Sequence, residues 1–330
     1  MRKFDAHLNV VMIGIVLFLI VFCLQLTGCT KEEPEQEIEE RIVFGFSQLG
    51  DESEWRTASS RDIRRAAELS GIQLVFDNAQ QQKSNQIKAI RSFILKRVDI
   101  IAFCPIVEED WDNVLEEARR AGIPVIVVDR KIETESEDLF TAFIGSDFHR
   151  EGVLAGEWMV ERFEEEEGPI RVAEISGTSN SSPAIGRAEG LREVLSEHPK
   201  FEIVTSVSGD FMRSKGRESM EIILSETPDI DILYAHNDDM ALGAIEILEE
   251  LGIEPGVDIV IVSVDAQPTG LQALREGKIN CLIECSPYVG HDLMMLVYKI
   301  VNGQPFDKYT YTDTRVFSDK YDLSALPVRP

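Results

Sequence analysis

The sequence predicts an α/β protein of two doubly wound lobes, each a parallel sheet with helices on both faces. Three observations lead there: short runs of continuous apolar residues, amphipathic segments of helical length between them, and a total too large for one sheet. From Ile42 onward the two kinds of segment alternate with little interruption. Strands that are apolar throughout are buried on both faces, which an open sheet achieves only when helices cover it.

In chain order, IVFGFS is the first strand and a helix follows near Trp55 to Ser70. IQLVF precedes a helix over Ser84 to Arg97, DIIAF one over Glu108 to Ala121, and IPVIVVD and TAFIGS close the first series. The series then restarts. HREGVLAGEWMVERF reads as a helix and RVAEIS as a strand; Pro183 to Glu197 is a helix and FEIVTSVS a strand; Arg213 to Ser225 is a helix and DILYAH a strand. Asp238 to Leu251, VDIVIVSVD, a helix near Thr269 to Glu276, INCLIEC and a helix from Val289 to Val301 complete it. The count is about ten strands and nine helices, more than one open sheet usually carries, so two lobes are the economical solution. Gly71, Gly122 and Gly252 each follow a helical run, where a left-handed C-terminal residue is wanted.

The 330 residues, 44% hydrophobic and 28% charged, suffice for two ordinary domains. Against 33 Lys and Arg stand 59 Asp and Glu, a formal charge of -26, which repels phosphate backbones and excludes nucleic acid as a partner. Arg61, Arg64 and Arg65 form the one dense basic cluster, but they sit among acids at helical spacing and read as a solvated face.

The N-terminus carries Arg2 and Lys3, an apolar run from Leu8 to Leu26, and then the polar stretch KEEPEQEIEER. That order is an export signal. Leu26-Thr27-Gly28-Cys29 resembles a bacterial lipobox, which makes residues 1–28 a removable leader, Cys29 the lipid-modified first residue, and 29–41 an acidic solvated tether. The competing reading is an uncleaved membrane anchor, since the apolar run is long enough to span a bilayer. Both place the body of the protein outside the cytoplasmic membrane. Three further cysteines, Cys104, Cys281 and Cys285, lie in apolar strand-like runs without metal-ligand spacing and read as small buried residues.

In open α/β sheets ligands bind beyond the carboxyl ends of the strands, where helix N-termini point. Several polar residues occupy such positions. Gln48, Glu52, Trp55 and Arg56 follow the first strand; Asp129 and Arg130 end the fourth; Asn237 and Asp265 stand at the ends of DILYAH and VDIVIVSVD. Planar carboxylates, amides and guanidiniums grip neighbouring hydroxyls in a fork, and an aromatic ring covers a sugar's C–H face. Trp55 suits the stacking; Arg56, Asp129 and Arg130 suit the forks. Each has a plainer reading: Asn237 as a helix N-cap, Trp55 as a core residue of its helix, Asp129 with Arg130 as a structural ion pair.

FSQLGDESEWR, QQQKSNQIKAIRSFI, VDR, SGDFMRSKG, YAHNDDMALGAI and ECSP together resemble the type I periplasmic sugar-binding proteins, the ribose-binding group in the broad sense, and within it the galactofuranose-binding subgroup of ABC importers. The likeness runs from Ile42 to about Gly303. It implies two lobes joined by a three-segment hinge, 42–144 plus 286–312 and 145–285 plus 313–330, closing on a monosaccharide. It further implies that Trp55, Arg56, Asp129 and Arg130 contact the sugar from the first lobe, and Arg187, Phe211, Asn237 and Asp265 from the second lobe or hinge, with Phe211 opposite Trp55. Gln48, Glu52 and Glu284 are additional candidates, and strand alternation leaves open whether Glu284 or Cys285 faces the cleft. The implied partners are an ABC permease with its ATPase subunit and, through Cys29, the membrane; the protein is expected to be a monomer with no cofactor and no metal.

An enzyme is disfavoured because GxGxxG, the Walker lysine motif, GxSxG and HExxH are missing and the five histidines are scattered. A transcription regulator of similar core would carry a basic DNA-binding headpiece where this chain has a lipobox and an acidic tether. A sugar-sensing ectodomain, using the same fold, would have to signal through a partner.

Overall fold

A computed structural model describes residues 41–320 of the chain. The leader, Cys29, nearly all of the acidic tether and residues 321–330 lie outside the described residues. The described residues belong to one compact unit.

The first sheet contains β1 (Val43–Gln48), β2 (Gln73–Asn78), β3 (Ile100–Phe103), β4 (Val125–Val128), β5 (Ala142–Gly145) and, from the far end of the chain, β11 (Tyr309–Tyr311), in the order β2-β1-β3-β4-β5-β11. All its pairings are parallel. The second contains β6 (Ile170–Ser176), β7 (Phe201–Ser208), β8 (Ile232–Ala235), β9 (Val260–Asp265), β10 (Cys281–Glu284) and β12 (Val316–Ser318), ordered β7-β6-β8-β9-β10-β12. Here only β12 runs antiparallel. The two orders match position for position, so each lobe repeats one winding.

Three helices pack within the first lobe in sequence: α1 (Glu54–Leu69), α2 (Lys83–Lys96) and α3 (Asp112–Arg120). The second lobe holds α4 (Phe148–Arg162), α5 (Ser182–Ser196), α6 (Arg213–Glu226), α7 (Asp238–Glu250) and α8 (Pro268–Arg275), and α9 (Gly290–Val301) returns to the first. Most bounds fall within a residue or two of the expected ones. The third helix is the exception, beginning at Asp112 rather than Glu108. Asp110 takes a left-handed φ of 61°, and the Glu108 N–H is donated to the Asn180 carbonyl of the other lobe at 3.2 Å, so the chain there is committed to a loop.

Period-two alternation builds two cores per sheet. In β3, Ile100 and Ala102 join Phe44, Phe46 and Leu293 on one face, while Ile101 and Phe103 join Phe93, Trp111 and Leu115 on the other. In the second sheet Leu233 and Ala235 face Met240 and Leu271, and Ile232 and Tyr234 face Met159 and Leu191. Each of the Leu, Ile, Phe and Met side chains among them contributes about 1.5–3 kcal/mol by leaving water. Gly71, Gly122 and Gly252 adopt φ of 68°, 72° and 74° with open space around them; conformation, and not room, demands glycine there.

The chain passes between the sheets three times: at Ser146–Asp147, over 285–289 and over 312–315. The crossings touch one another, with Ser146 Oγ 2.9 Å from Thr312 Oγ1 and 3.3 Å from Cys285 Sγ.

α4 and α5 approach unusually closely because small residues line their seam. A Cβ on Gly152 would overlap the Arg187 carbonyl, and one on Gly190 the His149 carbonyl. Backbone atoms cannot yield as a flexible side chain can. Gly190→Ala should therefore lower the unfolding free energy by about 1–3 kcal/mol through overpacking, read as a lower urea midpoint at unchanged slope. An unchanged midpoint would show that the seam is looser than its geometry.

Candidate ligand-binding site

The carboxyl ends of both sheets and the N-termini of α1, α4, α5 and α7 converge on a cavity of about 30 Å³ between the lobes. From the first lobe it is lined by Glu52, Ser53, Trp55, Arg56, Asp129 and Arg130; from the second lobe and hinge by Phe148, Pro183, Arg187, Phe211, Asn237, Asp265 and Cys285.

On the first-lobe wall, Ser53 caps α1, its hydroxyl accepting from the Arg56 N–H at 3.1 Å. That cap places Trp55 and Arg56 at the start of the helix, on the cavity. The Arg56 guanidinium is fully engaged: Nε donates to Glu52 at 3.1 Å, Nη2 lies 2.9 Å from Asp129, and Nη1 meets Gln48 Oε1 at 3.3 Å and Cys104 Sγ at 3.2 Å. Its Cζ also lies 4.6 Å from the centroid of the Trp55 ring. Arg130 donates from Nη1 to the Ile106 carbonyl at 3.0 Å, while its buried Nε has no hydrogen-bond partner. Burial and the neighbouring Arg56 charge hold the Arg130 pKa below its ordinary value.

On the second-lobe wall, Arg187 reaches the cavity from α5 and lies 3.8 Å from Asp265. Phe211 spreads its ring over Gly177, where any Cβ would collide with it, and both Arg130 and Arg187 approach that ring, at 5.1 and 5.9 Å from its centroid. Asn237 does two jobs. Its Oδ1 caps α7 by accepting from Met240 N–H at 3.0 Å, and its Nδ2 donates to the Phe211 carbonyl at 3.2 Å. The N-cap reading is therefore correct and compatible with a place on the wall.

Three lining residues other than glycine take left-handed φ: Asp129 at 64°, Phe211 at 62° and Asp265 at 117°. Such backbone costs on the order of 1–3 kcal/mol each and persists where the surroundings enforce it, commonly at ligand sites.

Of the eleven side chains expected here, nine line the cavity and two do not. Gln48 is buried behind the wall, bonded to Arg56 and to Ser60 Oγ at 3.2 Å. Glu284 turns away from the cavity and pairs with Arg315, whose Nη2 donates to it at 2.9 Å, so Cys285 faces the cleft. Ser53, Phe148, Pro183 and Cys285 complete the wall; the first three stand at helix starts, the position rule that had already selected their neighbours. Trp55 is both buried and lining, with its indole N–H given to the Cys285 carbonyl at 2.7 Å. Cys104 and Cys285 are buried as expected but make polar contacts, Cys104 donating to Asp129 at 3.2 Å, and burial pushes the Cys104 thiol up to about 12.

The lobes also touch directly. Glu54 N–H donates to Asp239 at 2.7 Å, Thr269 donates to the Glu54 carboxylate, and Lys131 N–H donates to Ser182 at 2.8 Å.

A family model described as a periplasmic binding protein domain matches residues 44–305. The chain belongs to the periplasmic binding proteins. Members of this family bind solutes and do not convert them. Among proteins similar to this chain is the galactofuranose-binding protein YtfQ of Escherichia coli, 41% identical over 74% of this chain and 78% of that protein. A Mycobacterium smegmatis structure in complex with β-D-fucofuranose is 45% identical, with a TM-score of 0.83 over 84% of this chain and 91% of that one. The binding protein of the arabinose ABC transporter of Shewanella sp. ANA-3, bound to α- and β-L-arabinofuranose, is 41% identical with a TM-score of 0.81 over 84% and 92% of the two chains. As in other periplasmic binding proteins, two α/β lobes joined by three crossings enclose the cleft. Among the described residues no helix is long and apolar enough to cross a membrane, and no group of three or more His, Cys, Asp or Glu side chains is arranged to hold a metal.

Beside the cavity, burial pushes the Asp238 carboxyl up to about 7, against hydrogen bonds from Gln267 N–H at 2.7 Å and Ser263 Oγ at 2.9 Å. The folded protein keeps this proton to a higher pH than the unfolded chain does. Its contribution is complete at acid pH below the unfolded carboxyl range, falls as pH rises from about 4 toward 7, and is then gone. Asp238→Asn should remove up to about 1.4 kcal/mol per pH unit of that slope, measured as urea midpoints between pH 4.5 and 8. A slope equal to that of the unsubstituted protein would contradict this.

Proposed function

We propose that this protein captures a neutral monosaccharide in furanose form between its lobes and delivers it to an ABC-type importer. The observation that carries the reading is the wall itself: flat hydrogen-bonding groups and three aromatic rings, supplied by both lobes, around one cavity. The lining has three guanidiniums, of Arg56, Arg130 and Arg187, and three carboxylates, of Glu52, Asp129 and Asp265. A balanced set favours a polyhydroxyl guest over an anion or a cation. The furanose form follows the relatives that bind galactofuranose, fucofuranose and arabinofuranose.

In this reading Trp55 and Phe211 cover the ring faces, Arg56, Asp129 and Arg130 fork hydroxyls from the first lobe, and Arg187, Asn237 and Asp265 do so from the second. The lobes span 42–144 plus 286–312 and 145–285 plus 313–330. Closure is favoured by the sugar because contacts come from both lobes, and a ligand shifts such an equilibrium by its differential affinity for the two states. The closed form docks on the permease, whose separate subunit hydrolyses ATP. The protein works as a monomer, outside the cytoplasmic membrane and tethered through a lipid on Cys29.

Thermal-shift measurements with L-arabinose, D-galactose, D-fucose and D-ribose, each equilibrated to include its furanose forms, test the reading. A sugar at 100 times its dissociation constant adds about 2.7 kcal/mol of stability, and small-angle scattering should record compaction with the same sugar. Trp55→Ala should keep cooperative unfolding while losing most of the sugar-dependent shift. No shift with any sugar, or binding without compaction, would contradict the proposal.

A further inference from the structure

Glu151 lies outside the cavity lining. It sits on α4, fully buried, and its Oε2 accepts from Arg187 Nε at 2.8 Å. Arg187 Nη1 donates to the His236 carbonyl at 2.5 Å, which leaves Nη2 as the edge turned toward Asp265 and the cavity. Its backbone is seated on the same helix, since the Arg187 carbonyl fills the space a Cβ on Gly152 would need. Arg187 is thus referenced twice to α4, the helix that begins directly after the first crossing.

The other carboxylate oxygen, Oε1, is buried and has no hydrogen-bond partner. Cys285 belongs to the second crossing. Its sulfur lies 3.3 Å from Ser146 Oγ in the first, which lies 2.9 Å from Thr312 Oγ1 in the third. The cavity wall that Arg187 and Cys285 share therefore borders all three segments about which the lobes move. An ion pair that served stability alone could sit anywhere in the lobe, and in isolation is often replaceable by apolar residues. This one sits where sugar contact and hinge geometry meet.

We infer that Glu151 is a positioning residue, which aims Arg187 at the ligand. The inference rests on the cavity being the sugar site. With Nε and Nη1 committed, Arg187 offers Nη2 to the ligand in one orientation, so Glu151 contributes to the binding energy without touching the sugar.

The test is calorimetric titration of the full chain with L-arabinose and D-galactose. Glu151→Gln should weaken binding by about tenfold or more, and combined with Arg187→Lys should cost no more than Arg187→Lys alone, since the two act as a unit. Should Glu151→Gln fail to fold, Glu151→Asp keeps the charge and shortens its reach; it should fold and weaken binding about threefold or more. Without sugar, the Arg187 Nε–H proton resonance should exchange slowly with solvent and lose that protection in Glu151→Gln. Additive effects, affinities within about twofold of the unsubstituted protein, or an unaltered Nε–H signal would overturn the inference. Failure of every sugar to bind would instead remove the site reading, and the Nε–H measurement would still decide whether Glu151 fixes the arginine.

Discussion

A guanidinium cannot be taken out of water without being met, and this cleft buries three of them. Arg56, Arg130 and Arg187 are each nearly inaccessible, and a buried charge left without partners costs several kcal/mol. The architecture answers this differently on its two sides. In the first lobe Glu52, Asp129, Gln48 and Cys104 surround Arg56 at 2.9–3.3 Å, drawn from β1, the loop after it, and the ends of β3 and β4. In the second, Glu151 and a backbone carbonyl hold Arg187, with Asp265 farther away. Parallel winding makes this possible, because it brings strand ends and helix starts from distant parts of the chain to one edge.

Fixing the arginines in advance has a functional value. A side chain already locked by carboxylates loses little rotamer freedom when a ligand arrives, so more of its contact energy reaches the affinity. The aromatic rings are fixed as well. Trp55 is held by its N–H to the Cys285 carbonyl, and Phe211 by its seat over Gly177. The wall is a preformed surface in which few polar atoms remain uncommitted, among them Arg130 Nε.

The fold was legible because the central strands of these sheets are apolar through their length and Gly71, Gly122 and Gly252 mark helix ends. β11 and β12 escaped notice: with three residues each, and exposed Tyr309 and Tyr311 in the first, they lack the apolar continuity that marked the others. The site was legible where strand ends supply it, at Asp129, Asn237 and Asp265. Arg187 was reached only by resemblance, since it stands in the second turn of a helix and enters the cleft through the α4–α5 seam. Glu284 and Cys285 could not be separated by alternation, because the strand ends there and the chain crosses over; the pairing of β10 with β12, which sets Glu284 against Arg315, decides it. Glu151 carries no sequence signal at all, being one acid among many on an amphipathic helix.

The left-handed corners at Asp129, Phe211 and Asp265 bear on how such a cleft can diversify. Bulky β-branched replacements are barred there by backbone geometry, and asparagine or glycine are the tolerated exchanges. New guest preferences would then arise most easily from the scaffolding behind the wall, where Gln48 and Cys104 touch Arg56 from outside the lining and meet no such backbone restriction. Inherited variation in the recognised guest should accordingly concentrate one layer back from the guest.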